Sequence, residues 1–349
     1  GVADLDLGNS HYAQVRIMVD NSHYLKGMAM YSDNLPDGVD IMFNTNKPSG
    51  TPKMKVLKAV KNDPNNPFGA AITAEGQSTY IGSDGKEHLS PINKLKWEGD
   101  WDDMSKSVSS QFLSKQPKQL IEKQLNLTMA DYRAEYDEIM HYTNPTVQKK
   151  MLLDFADKCD GTSMTLKASA FPGQSTKVIL PLDKIKETEA YCPTYENGTQ
   201  LALVRYPHAG TFEIPIVTVN NKNPNGKSTL GNVRDAIGIS SKVAERLSGA
   251  DFDGDTVMAI PMSDKVRINS TDPLPGLKNF DPKVEYAVPE GNPNNVRLMK
   301  KDEKQKEMGI ISNLITDMTL RGATNEDLER AVRHSMVVID AESRRAKRS

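Results

Sequence analysis

The chain is poor in the features that mark secreted, membrane-spanning or metal-cluster proteins. It has two cysteines in 349 residues, Cys159 and Cys192. They lie far apart and form no CxxC pair, so they give no zinc or disulfide framework, and a reducing compartment is the simplest expectation. No run of 18 apolar residues occurs, so no membrane span is expected. The opening GVADLDLGN has neither a basic nor an apolar region of the kind that directs secretion. These absences together predict a cytoplasmic protein. A basic excess is also missing: the net charge is −2 and the pI about 6.4. That argues against a protein that holds nucleic acid by overall charge, while leaving room for a locally basic groove. The chain begins on Gly1 and stops at SRRAKRS. Both ends read as cut points in a longer protein.

What is present is an ordinary globular composition, 37% hydrophobic and 26% charged, long enough for two or three domains. From about Tyr12 to Ile72, short apolar groups (VRIMV, GMAMY, VDIMF) alternate with turn signals (NS, LPDG, NKPSGTP), which predicts strands and tight loops. From about Trp101 to Cys159 the spacing turns helical. Thr128 with Asp131 forms a capping-box signal, and Pro145 suits a helix start. Strand-like runs return from about Thr165 to Pro261 (KVILPL, QLALVRY, FEIPIVTV, TVMAIPM), interrupted by VRDAIGISSKVAERL, which reads as helix. Two helical stretches follow from about Asp302. The expected organisation is α+β, divided as 1–75 (β-rich), 76–160 (helical connector), 161–265 (β-rich) and 266–349 (loop and helices).

The segment that carries chemistry is SGADFDGDTVMAIPM, residues 248–262. Asp251, Asp253 and Asp255 sit at i, i+2 and i+4. Three carboxylates within five residues repel one another without a cation, and Gly254 opens backbone conformations closed to other residues. A hard divalent cation with oxygen ligands is the natural partner, and Mg²⁺ keeps part of its shell for water or phosphate oxygens. A calcium-binding EF-hand is excluded, because loop positions six and twelve from Asp251 hold Thr256 and Met262 instead of Gly and Glu. A solvated acidic turn is the other reading of the residues alone, and it leaves Phe252 between the aspartates unexplained.

Ala250-Asp251-Phe252-Asp253-Gly254-Asp255 resembles the ADFDGD signature of the beta-prime-type large subunit of multisubunit RNA polymerases, and the related motif of cellular RNA-dependent RNA polymerases. Upstream, Arg205 and Pro207 match that family's Arg-x-Pro, while His208 falls out of step with its histidine. A second match lies near the N-terminus. Leu35-Pro36-Asp37-Gly38-Val39-Asp40-Ile41, then Asn44 and Gly50-Thr51-Pro52-Lys53-Met54, resembles a beta-type pattern, preceded by Lys26-Gly27. The family's second lysine, about eight residues earlier, has no counterpart; Arg16 stands in that neighbourhood. Having both patterns in one chain is similar to RNA-interference polymerases and certain phage-encoded RNA polymerases, the latter also through EMGIISNLITDMTL and AVRHSMVVIDAE. The match covers roughly Leu25–Ile72 and Arg205–Met262.

The resemblance implies two double-psi β-barrels joined by a helical connector. It implies a Mg²⁺ held by Asp251, Asp253 and Asp255, with Lys26 facing phosphate and Arg205 near the nucleotide sugar. The implied reaction is nucleotidyl transfer from nucleoside triphosphates to an RNA 3′ end. The implied partners are a nucleic-acid template (DNA before RNA), the RNA product and the triphosphates, with no membrane, in a phage-infected host cell or delivered from a virion. The rival readings are an RNA-templated polymerase, an inactive polymerase-derived or structural domain that binds metal without nucleotide, and a two-metal nuclease. Lys53, Lys55, Lys58 and Lys61 suit a nucleic-acid channel and a solvated face equally.

Overall fold

The computed structural model describes residues 7–32, 35–39, 41–43, 52, 56–62, 68, 79–101, 107–108, 116–162, 166–167, 171–206, 210–247, 250–278, 280, 285–286 and 299–339. The N-terminal strands are β1 (Tyr12–Val19), β2 (His23–Met30) and β3 (Lys58–Ala59). Asp20 and Asn21, in the β1–β2 turn, adopt φ of 51° and 52°, a conformation that Asp and Asn tolerate better than most residues. A small hairpin follows, β4 (Thr79–Ile81) with β5 (Glu87–Leu89). Next comes β6 (Ile92–Trp97), which pairs with β1 to give an antiparallel sheet of order β3-β2-β1-β6. Along β1 the residues alternate. Ala13, Val15 and Ile17 pack with Leu7, Ala29 and Trp97 on one face, and Tyr12 is buried from the other. Among the described residues this sheet stays open, so a second barrel in the first stretch is not seen. Asp40, Asn44, Gly50, Thr51, Lys53 and Met54 of the beta-type pattern, and Lys55, lie outside the described residues.

The stretch expected to be a helical connector contains strands before its helices. β7 (Ser107–Val108) precedes α1 (Lys118–Met140) and α2 (Pro145–Thr162) and pairs with β8 (Leu166–Lys167). Pro145 begins α2 as expected, and the Asn144 side chain accepts from the amides of Thr146 and Val147. Thr128 starts no helix: it sits inside α1, and its hydroxyl donates to the Gln124 carbonyl four residues back. A threonine hydroxyl satisfied by its own helix has no capping work to do.

The third stretch builds the second sheet. It comprises β9 (Ser175–Pro181), β10 (Glu189–Ala190), β11 (Gln200–Val204), β12 (Ile216–Val219), the short helix α3 (Pro224–Leu230), β13 (Ala236–Ile239), the short helix α4 (Ser241–Glu245) and β14 (Thr256–Pro261). Their order is β10-β12-β11-β14-β9-β13. The pairs β9–β13 and β10–β12 are parallel and the others antiparallel. Tyr191 and Gly238 exchange both backbone hydrogen bonds at 2.9 Å, which brings the two ends of the sheet together and nearly closes it into a six-stranded barrel. Alternation makes its interior: Ile179, Leu201, Leu203, Val217, Val219, Ile237, Ile239, Val257 and Ala259 face one core. Their neighbours Val178, Leu180, Ala202, Val204, Met258 and Ile260 face outward into two other cores. Strands buried on both faces read as unbroken apolar runs. That is why the sequence predicts helix through AIGI, whereas the structure makes it β13, buried at every position.

Two further helices, α5 (Lys301–Leu320) and α6 (Asn325–Ile339), match expectation and pack together around Ile311, Ile315, Leu328 and Val332. No helix of the described residues is long and apolar enough to cross a membrane.

Candidate active site

The aspartate loop sits at one end of the barrel, between α4 and β14. Its exit is fixed by the barrel itself, since the Asp255 carbonyl accepts from the Ile179 amide of β9 at 3.0 Å. Its middle is pinned by Phe252, which packs against the barrel interior and so explains the aromatic residue between the aspartates. Gly254 has φ of +113°, a region that side chains other than glycine rarely adopt. The turn therefore presents its carboxylates outward from a buried anchor.

Two cations from distant parts of the chain reach this turn. Arg205 follows β11, whose last pairing sets Val204 against Met258 of β14. That register carries the guanidinium to Asp255 Oδ2, at 3.0 Å. Lys26 comes from β2 of the N-terminal sheet and places Nζ 2.8 Å from Asp253 Oδ2. The Asp251 amide also donates to Asp255 Oδ2, at 2.9 Å. All three aspartates and both cations named from the sequence are thus in one place. Their formal charges are three negative and two positive, so the cluster stays one charge negative. Pro207 and His208 lie outside the described residues.

The N-terminal sheet is fastened to the barrel beside this cluster. Asp235, fully buried at the start of β13, accepts from the Tyr12 hydroxyl of β1 and from the amides of Gly99 (2.6 Å) and Trp101 (3.3 Å). Tyr12, Trp101, Met28 and Met30 pack with Val178, Leu180, Leu230 and Val233 in the shared core. Gln14, two residues along β1, donates its side-chain amide to the Asp253 carbonyl at 2.8 Å. Asp235 and Gln14 escaped the sequence reading because a single polar residue on or beside a strand carries no local pattern.

Arg16 is directly across from Lys26 in the β1–β2 register, yet its guanidinium is turned to other work. It donates to the Phe68 carbonyl at 3.3 Å and lies over the Tyr24 ring. Lys58 and Lys61, two of the four lysines weighed as a channel lining, are exposed.

The oxygen donors on the turn suit a hard divalent cation. Among the described residues, however, no three His, Cys, Asp or Glu side chains are grouped closely enough to hold a metal ion. Here Asp253 and Asp255 each turn one carboxylate oxygen to a cation, Lys26 and Arg205.

No family model and no curated protein sequence matches the chain. Twenty-two solved chains match by structure. One is an RNA-dependent RNA polymerase, QDE-1 from Thielavia terrestris, at a TM-score of 0.45 and 11% identity, covering 99% of this chain and 42% of that one. The chain therefore spans less than half the length of that protein. A likeness of this strength carries no argument about reaction, template or origin, and the DNA template and phage origin expected from the sequence gain nothing from it.

Proposed function

We propose that the chain is the catalytic portion of an RNA polymerase that transfers nucleotides from nucleoside triphosphates to an RNA 3′ end on a nucleic-acid template. The observation that carries this reading is the convergence of Lys26 and Arg205 on the Asp251–Asp255 turn. The motif resemblance singled out these five residues from separate parts of the sequence, and the fold pairs Lys26 with Asp253 and Arg205 with Asp255 on one turn. The nearly closed barrel under the turn and its parallel strand pairs suit a double-psi barrel, and the reading assigns it that topology.

In the reaction, the 3′-hydroxyl oxygen bonds to the α-phosphorus, the bond from that phosphorus to the β-phosphate oxygen breaks, and pyrophosphate leaves. Asp251, Asp253 and Asp255 would hold Mg²⁺, which when bound lowers the pKa of the attacking hydroxyl and neutralises charge on the phosphates. Lys26, released from Asp253, is a compact cation of the right kind to offset phosphate charge. Arg205 has a planar donor fork for the sugar or phosphate oxygens of the entering nucleotide. Positioning and charge account for this class of chemistry without a covalent nucleophile.

The test is extension of a labelled RNA primer with all four triphosphates, on DNA and RNA templates in parallel. Extension on either template supports the reading, and the productive one separates the DNA-templated from the RNA-templated enzyme. A folded chain that binds divalent cation but extends the primer on neither template is the structural or inactive domain.

A further inference from the structure

We infer that Gln14 is the positioning residue of the aspartate turn, holding the peptide between Asp253 and Gly254 in the orientation that sets both flanking carboxylates. This rests on the reading of the turn as the cation-holding element. Three observations carry it. The Gln14 side-chain amide donates to the Asp253 carbonyl at 2.8 Å, across 239 residues of sequence. The fit is close: a Cβ added at Gly254 would collide with that same amide nitrogen, and Gly254 already needs its φ of +113°. Finally, Gln14 lies on β1 between Tyr12, which bonds buried Asp235, and Arg16, the cross-strand partner of Lys26. One strand therefore registers both the turn and the lysine that meets it.

The chemistry of the side chain suits the task. The carbonyl it holds stands among carboxylates, so a carboxylate at position 14 would set acceptor against acceptor. A lysine would cancel charge that the turn needs for a cation. A neutral amide donor fixes the backbone and leaves the charge alone. Groups that orient ligands in this way, without touching the ion, typically change affinity or activity by about 10- to 100-fold when removed.

The experiment compares the full chain with Gln14→Met, which keeps length and bulk but has no donor, and with Gln14→Ala. Hydrogen exchange is followed at the amides of residues 250–257, and nucleotide addition is measured alongside. Both variants should speed exchange of the turn by about tenfold or more, with β9 and β13 unchanged. Their kcat should fall about 10- to 100-fold with the nucleotide KM within about twofold. Wild-type exchange in Gln14→Met overturns the inference, because the side chain then only fills space. Faster exchange spread equally over β9 and β13 overturns it too, because Gln14 then holds the barrel and not the turn. Should the turn alone loosen while wild type adds no nucleotide, the positioning role stands and the polymerase reading falls.

Discussion

Lys26 Nζ lies 2.8 Å from Asp253 Oδ2, joining the second strand of the N-terminal sheet to the turn that caps the barrel. Each side chain keeps about a quarter of its surface in water (25% and 23%), so solvent screens the pair and it contributes less than about 1 kcal/mol to stability. Its value is therefore positional. Lys26→Ala should leave the thermal midpoint nearly unchanged and lower nucleotide addition by roughly 100-fold or more, the scale of losing a preorganised charge at a reacting group. Steady-state kinetics beside a melting curve checks both halves; a large fall in midpoint with normal kinetics would show a structural pair instead.

The buried Asp235 carboxylate does the opposite kind of work. It serves Tyr12, Gly99 and Trp101 at once, and Asp235→Ala leaves two backbone amides and a hydroxyl without their acceptor. The expected loss is roughly 1–3 kcal/mol for each stranded donor that stays dry. Chemical denaturation measures it. Because the same contacts dock the sheet bearing Lys26, activity should fall together with stability.

Gly254→Ala meets two obstacles, the left-handed φ of +113° and the Gln14 side chain. The strain costs on the order of 1–3 kcal/mol locally. The variant should fold, since the barrel interior is untouched, and should lose divalent-cation binding. Titration with Mn²⁺ followed by electron paramagnetic resonance reads this directly; wild-type affinity would contradict it.

Stability should decline in alkali. Burial pushes the Cys192 thiol up from 9.0 to about 11, opposed in part by the nearby Lys177 charge. In the unfolded chain the thiol ionises at its ordinary value, while the folded chain keeps the proton. Between about pH 9 and 11 the unfolded state therefore binds fewer protons, and stability falls as pH rises. The contribution is complete below pH 9 and is lost as pH rises through 11, a loss of about 3 kcal/mol in all. Burial likewise raises the Tyr195 hydroxyl from 10.0 to about 12. Cys192→Ala should lower the midpoint at neutral pH through lost packing, yet flatten its fall between pH 9 and 11. Equal slopes for both proteins would refute the assignment.

The candidate site's residues were more legible in the sequence than the fold around them. Asp251, Asp253 and Asp255 announce themselves by spacing, and Lys26 and Arg205 by the patterns beside them. The strand order was not legible, because AIGI, buried on both faces in β13, carries no period that separates strand from helix. Thr128 mimicked a helix start because a capping signal is local, whereas its hydroxyl turned back to Gln124 inside a longer helix. Gln14 and Asp235 were invisible for a related reason. Their partners lie 239 and 223 residues away, and the contacts exist only once two separate sheets are packed.

The most direct test of the central claim is primer extension by the wild-type chain against Asp253→Ala, with Mg²⁺ and labelled nucleoside triphosphates on DNA and RNA templates. The account predicts RNA product from the wild type on one of the templates and loss of that product in the variant, with both proteins melting at nearly the same temperature. Product that survives in Asp253→Ala would contradict it, because the synthesis would then owe nothing to the aspartate turn.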